Sequence, residues 1–252
     1  MRSIETPFGD PEFLVLAGSR LYGIDGPDSD YDYVGALIEP ADYRLGLLKN
    51  DGQHGFEQYE FKGDNFEGSI YSLWKLASMF AEANPTILCL MFADPIVDHF
   101  GICTDEFREM VISRKSGYRF LKYMEAQRKS MIGQRAKNVT RLDLIDRHGF
   151  DTKFAGHLIR LGYQGCEFLA TGKITLPMPD ESLTAGSRLN VLDIRNGAWR
   201  IEQVLAEAEA LQARMEGLLA TTTLPEEPDW ATLNDWVCHH YQWRYQIHCT
   251  AS

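Results

Sequence analysis

The stretch with the least conformational freedom runs from Phe13 to Ile38, FLVLAGSRLYGIDGPDSDYDYVGALI. Its opening residues, Phe13 to Ala17, are apolar throughout and too few for a buried helix, so they fit a strand covered on both faces. Gly18 and Ser19 end that run, and Gly23, Gly26 and Pro27 mark a loop. A second strand follows, in which Asp30 and Asp32 alternate with Tyr31 and Tyr33. Side chains repeat with period two along a strand, so the two carboxylates share one face, about 6 to 7 Å apart. An enclosed strand, a tight turn and a returning strand in so short a span require a sheet built around them.

The same residues have a logic for phosphoryl transfer. Gly18 lets the backbone approach a phosphate, and Ser19 adds N–H and hydroxyl donors at a helix N-terminus. Asp30 and Asp32 can hold Mg²⁺, which takes oxygen ligands and bridges to substrate phosphates. Aspartates beside Gly and Pro are commonly only turn residues, but the flanking strands and the Gly-Ser pair set these apart. A calcium loop would place Asp28, Asp30 and Asp32 at positions 1, 3 and 5 and Glu39 at 12; the glycine needed at position 6 is Tyr33, which excludes it.

GSRLYGIDGPDSDYDYVG resembles the signature of the DNA polymerase beta nucleotidyltransferase superfamily, in particular its RNA-repair-pathway (RlaP-like) branch. The resemblance extends from about Phe13 to Glu227. EGSIYSL is similar to the branch's third-acid segment, which implies Glu67 as the carboxylate completing the metal site; the family residue is more often aspartate, and Glu60 and Asp64 are nearby alternatives. HGFDTKFAGHLIRLGYQGCEFLATGKI and DIRNGAWRIEQVLAEAEALQARMEGLLA also resemble the branch. The resemblance implies two Mg²⁺ ions, or Mn²⁺ in their place, and an NTP as substrate.

No apolar leader opens MRSIETPFGDPEF, and the longest apolar run, Ile87 to Ala93, is too short to span a bilayer, so the expected setting is the cytoplasm with no membrane contact. Five scattered cysteines without CxxC spacing point to reduced thiols. Cys238, His239, His240, His248 and Cys249 fit no common zinc spacing. The net charge of −11 speaks against a general nucleic-acid coat, yet residues 114–160 hold twelve Lys/Arg against four acids. That stretch is either a solvated helical face or a positive wall for polyphosphate or nucleic acid.

Hydrophobic spacing predicts a strand around Phe56 to Phe61, a strand from Phe66 to Tyr71, a helix from Leu73 to Ala81 and another capped by Asn84-Pro85. Beyond Asp94-Pro95 long helices are expected: Gly117 to Arg135, one capped by Asp151 or Thr152 and ended by Thr171-Gly172, one through Ile201 to Leu218, and a last aromatic-rich one from Asp229 to Tyr245. In the second of these, Lys153, His157 and Arg160 share one face, with Phe154, Leu158, Leu161 and Cys166 turned to the core. Beside a nucleotidyltransferase site those three can contact a triphosphate and neutralise charge as pyrophosphate leaves. Arg195 is a further side chain able to reach substrate.

The expected fold is α+β: a small mixed sheet with flanking helices, residues 1–95, followed by an α-helical part, residues 96–252, that closes the nucleotide cleft. The expected reaction moves an NMP from an NTP to an acceptor hydroxyl. Asp30, Asp32 and Glu67 are the catalytic and metal residues; Gly18, Ser19, Arg20, Lys153, His157 and Arg160 bind the nucleotide. The basic stretch 114–160 favours an RNA end such as tRNA as acceptor. The overall acidity favours a protein or a small molecule, and a non-catalytic nucleotide-binding module is a third reading; a homodimer is left open.

Overall fold

The computed structural model describes residues 4, 6–50, 53–133 and 141–246. The apolar opening run forms strand β1 (Phe13–Leu16), with Phe13 and Val15 fully enclosed on one face and Leu14 buried on the other. The chain then makes one helical turn, α1 (Gly18–Leu21), and returns as β2 (Tyr31–Leu37), antiparallel to β1 with Leu16 opposite Tyr33. A short helix α2 (Ala41–Arg44), a two-stranded ladder β3 (Lys49–Asn50) and β4 (Gln53–His54), and strand β5 (Gln58–Lys62) fill the excursion before β6 (Phe66–Ser72).

That excursion is what permits β6 to lie parallel to β2, because a parallel pair needs a long crossover. Ser72 ends β6 and caps α3 (Leu73–Ala81), accepting from Lys75 N at 3.1 Å. Asn84 accepts from Thr86 N and Ile87 N to cap α4 (Pro85–Leu90), with the proline in its first turn. The strand β7 (Pro95–Asp98) follows and pairs antiparallel with β1, giving the order β5-β6-β2-β1-β7. Its four half-buried residues, PIVD, carry no alternation to announce a strand, and the change to helices comes after it.

Those helices are α5 (Asp105–Val111), α6 (Lys115–Met131), α7 (Leu142–His148), α8 (Thr152–Thr171), α9 (Arg188–Arg195), α10 (Ile201–Thr221) and α11 (Trp230–Tyr245). Arg135, the end expected for the first of them, lies outside the described residues, as do Gly52, Lys137, His248 and Cys249. Helix α8 is buried nearly all round, between α6, α9 and α10, and so forms the axis of the helical layer. One continuous core joins it to the sheet: Phe13, Val15, Leu76, Phe80, Leu88, Phe107, Leu158 and Ile159 belong to the same cluster. A smaller cluster of Leu14, Leu37, Phe56 and Ile70 covers the opposite sheet face.

Helix α11 returns to the sheet. Tyr241 donates its hydroxyl to the fully buried Glu39 at 2.8 Å and accepts from Trp74 N at 3.2 Å, while Tyr245 donates to the Glu39 carbonyl at 2.7 Å. Of the aromatic residues on this helix, Tyr241 and Trp236 pack into the core region, whereas Trp243 is exposed. No described helix is long and apolar enough to cross a membrane.

Candidate active site

The first turn of α1 and the start of β2 are tied together by backbone. Ala17 N donates to the Asp32 carbonyl at 2.8 Å. Gly18 takes φ +60°, a left-handed value, and a Cβ there would lie 2.5 Å from Asp32 Cγ and nearer still to Oδ2. Only glycine lets the carboxylate rest against the turn. Asp32 and the Gly-Ser turn therefore occupy one place; Asp32 lies within β2, whereas Asp30, expected in the same strand, falls immediately ahead of it, where strand alternation no longer fixes its direction.

Glu67 stands directly opposite Asp32 in the parallel register of β2 and β6. Glu60 is one strand further out, on β5 opposite Ser69, and Asp64 sits in the turn between β5 and β6. Burial, then the charges of Glu67 and Asp30, hold the Asp32 carboxyl above its usual range, with Arg20 acting against them. Glu67 and Asp30 thus lie near enough to bear on Asp32. The three acids do not converge into a ready chelate: Glu67 is held by Lys62 Nζ at 2.6 Å, and among the described residues no three His, Cys, Asp or Glu side chains are grouped to hold an ion.

Ser19 is half-buried in the first turn of α1, and its hydroxyl has no hydrogen-bond partner among the described residues. Arg20 is differently placed. Its guanidinium pairs with Asp25 at 3.0 Å, donates to the carbonyls of Ser29 at 2.7 Å and Asp30 at 3.3 Å, and stacks 3.9 Å from the Tyr31 ring centroid. It clamps the 25–31 loop, and so positions the acids, with few donors left for a phosphate.

Across from this hairpin, Asp151 caps α8, accepting from Lys153 N and Phe154 N. Lys153 and His157 reach solvent on the helix face expected from their spacing. Arg160, on the same face, is only 3% exposed: it lies 3.8 Å from the Tyr22 ring centroid and donates to Gln164 Oε1 at 2.6 Å. Tyr22 closes α1, so this stack joins α8 to the helix that carries Ser19. Loss of water around the His157 ring comes first, then the positive charges of Arg160, Arg195, Arg141 and Lys153, in holding its imidazolium down to about 3, although the residue keeps a solvent-facing side.

Sequence reasoning did not single out Tyr22 or Arg141. Arg141 pairs with buried Asp151 at 3.3 Å, and only its place just ahead of α7 in a basic stretch pointed to it. Four other cations of that stretch are paired with acids, one of them, Glu125, from the same helix. On α6, Lys115 meets Glu82 and Glu227, Arg119 meets Glu82, Arg128 meets Glu209 and Lys129 meets Glu125.

A Gly-Ser turn between two strands, an Asp-x-Asp beside that turn and an acid opposite on a parallel neighbour, on a mixed sheet with a helical C-terminal region, fit a polymerase beta-like nucleotidyltransferase, the class that the family match supports. The chain belongs to the RlaP family, the RNA repair pathway DNA polymerase beta family, whose model matches residues 12–239. No curated protein matches it. Among solved structures it is similar to a nucleotidyltransferase-like protein from Exiguobacterium sibiricum, at 10% identity over 85% of this chain and 70% of that one, with a TM-score of 0.27.

Proposed function

We propose that the protein transfers a nucleoside monophosphate from an NTP to a hydroxyl at an RNA end, such as that of tRNA, and releases pyrophosphate. The observation that carries this reading is the seating of Asp32 against Gly18, with Glu67 across the ladder. The donors fit a hard divalent cation: they are carboxylate oxygens, and Asp32 has no ion-pair partner among the described residues. Asp30 and Asp32 would hold two Mg²⁺ or Mn²⁺ ions and Glu67 would complete the site once released from Lys62. When bound, the ions would supply charge neutralisation at the phosphates and activation of the attacking hydroxyl.

The chain's own groups do the rest. The Ser19 hydroxyl and the N–H groups of the turn hold the β and γ phosphates. Lys153 and the neutral His157 face them from α8, and buried Arg160 adds its field from beneath the turn through Tyr22. The new O–P bond forms as the bond to pyrophosphate breaks, and the acceptor's proton passes to the carboxylates. Residues 1–95, with the remainder of β7, act as the catalytic part and the chain beyond Asp98 as the helical part that closes the cleft, in a cytoplasmic setting.

The net charge of −11 favours a second reading, a protein or small-molecule acceptor. Incubation with each labelled NTP, Mg²⁺ or Mn²⁺ and a mixed RNA extract, with the protein alone as control, separates them. Label on RNA supports the first reading, label on protein the second, and no label with any NTP overturns transfer altogether.

A further inference from the structure

Positive side chains gather where α7, α8 and α9 meet, and they share very little negative charge. Arg141 reaches Asp151, but that carboxylate is also the cap of α8. Arg195 ends α9 and crosses α8 at Gly156, where a Cβ would come within 2.6 Å of Arg195 Cγ. The bare backbone at Gly156 is what lets the arginine stem lie beside His157. Thr152 Oγ1 donates to the Arg195 carbonyl at 3.0 Å and fixes the crossing.

The Arg195 guanidinium is half-buried and has no ion-pair or hydrogen-bond partner among the described residues. Asp25, the acid whose charge it feels, is already paired with Arg20. Beneath them lies Arg160, 3% exposed, with its Nε unpartnered. Removing guanidinium groups from water without a counter-charge is costly, and crowding several together adds repulsion. An anion with several acceptor oxygens relieves both costs.

We propose that Arg141, His157 and Arg195, arranged above buried Arg160, form a binding site for a phosphate group, as a phosphate monoester or as the end of a polyphosphate. The two sources of that chemistry are the terminal phosphates of the NTP and a phosphorylated RNA end. The site rests on the reading of the cleft as a phosphoryl-transfer centre. It adds Arg141 and Arg195 as binding residues and gives Gly156 a positioning role through Arg195.

Calorimetry on the full chain in EDTA tests it without any contribution from metal. The probes are inorganic tripolyphosphate, a short end-phosphorylated oligoribonucleotide, and the same oligonucleotide without its phosphate. Arg195→Gln and Arg141→Gln should each weaken the phosphate probes by about tenfold or more, the scale of one charge-assisted hydrogen bond. Gly156→Ala should weaken them too while leaving every charge in place, and Arg195→Lys should recover part of the loss. Lys173→Gln, an exposed side chain just past the far end of α8, should change nothing.

Loss confined to tripolyphosphate assigns the site to the NTP; loss of the preference for the phosphorylated over the unphosphorylated oligonucleotide assigns it to the acceptor. No binding by the wild type, or changes below about twofold in both arginine variants, overturns the proposal. Asp32→Asn should bind tripolyphosphate like the wild type. If the wild type binds tripolyphosphate but transfers no nucleotide, the transfer reading fails and the anion site stands; if the wild type transfers and Asp32→Asn does not, but the arginine variants bind normally, the reverse holds.

Discussion

Replacing Gly18 by alanine tests the contact on which the site depends. The residue has φ +60°, so alanine there costs about 1–2 kcal/mol from backbone strain alone. Its Cβ would lie 2.5 Å from Asp32 Cγ. Carbon atoms in ordinary contact sit about 3.5–4.0 Å apart, so the carboxylate must retreat by about 1 Å. A misplacement of about 1 Å at a reacting centre can cost about 10²-fold in rate.

Gly101→Ala supplies the comparison: φ is +75° and the nearest atom to a new Cβ is Thr104 Cγ2 at an ordinary 3.5 Å. Both variants should lose about 1–2 kcal/mol in urea unfolding. Only Gly18→Ala should also lose about two orders of magnitude in labelled-nucleotide transfer. Equal activities in the two variants would show that the seating of Asp32 on the turn does not matter to the chemistry.

Asp30→Asn and Asp32→Asn should each abolish transfer with the urea midpoint unchanged or raised, because each removes one charge from a crowded set of acids; undiminished transfer in either ends the carboxylate assignment. Lys62→Met should free Glu67 and tighten Mn²⁺ binding, read by calorimetry, with no change in unfolding; weaker Mn²⁺ binding counts against Glu67 as a ligand. Tyr241→Phe leaves both Glu39 Oε2 and Trp74 N without their hydroxyl partner and should cost about 1.5–3 kcal/mol in urea unfolding. Burial chiefly raises the Glu39 carboxyl above its ordinary 4.5, so the folded state binds that proton more tightly than the unfolded chain does. Stability is therefore lost as pH climbs from 4.5 through the folded value, and Glu39→Gln, which still accepts from Tyr241, should gain on the wild type over that window; a constant gap between them refutes the burial argument.

Local signals were reliable wherever the cause is local. Leu73–Ala81 is the helix its apolar spacing predicts, and Asn84, Asp151 and Gly172 cap the helices whose ends they mark, because a cap needs only its own next few N–H or C=O groups. Glu67 was reached only through a family resemblance, since its place beside Asp32 depends on how β6 registers against β2 after a long excursion. Arg160 shows the limit of helical spacing: position on a face does not say whether that face meets solvent or, as here, the ring of Tyr22.

The sequence by itself determined the first strand, the Gly-Ser turn and the returning strand that carries Asp32, because short apolar runs and glycine's access to left-handed backbone act over a few neighbouring residues. Tertiary structure alone decided that Glu67 faces Asp32, that Arg20 clamps a loop, and that Arg195 lies over Gly156 beside His157. Those outcomes follow from strand register, burial and helix crossings, which are settled between segments distant in the chain.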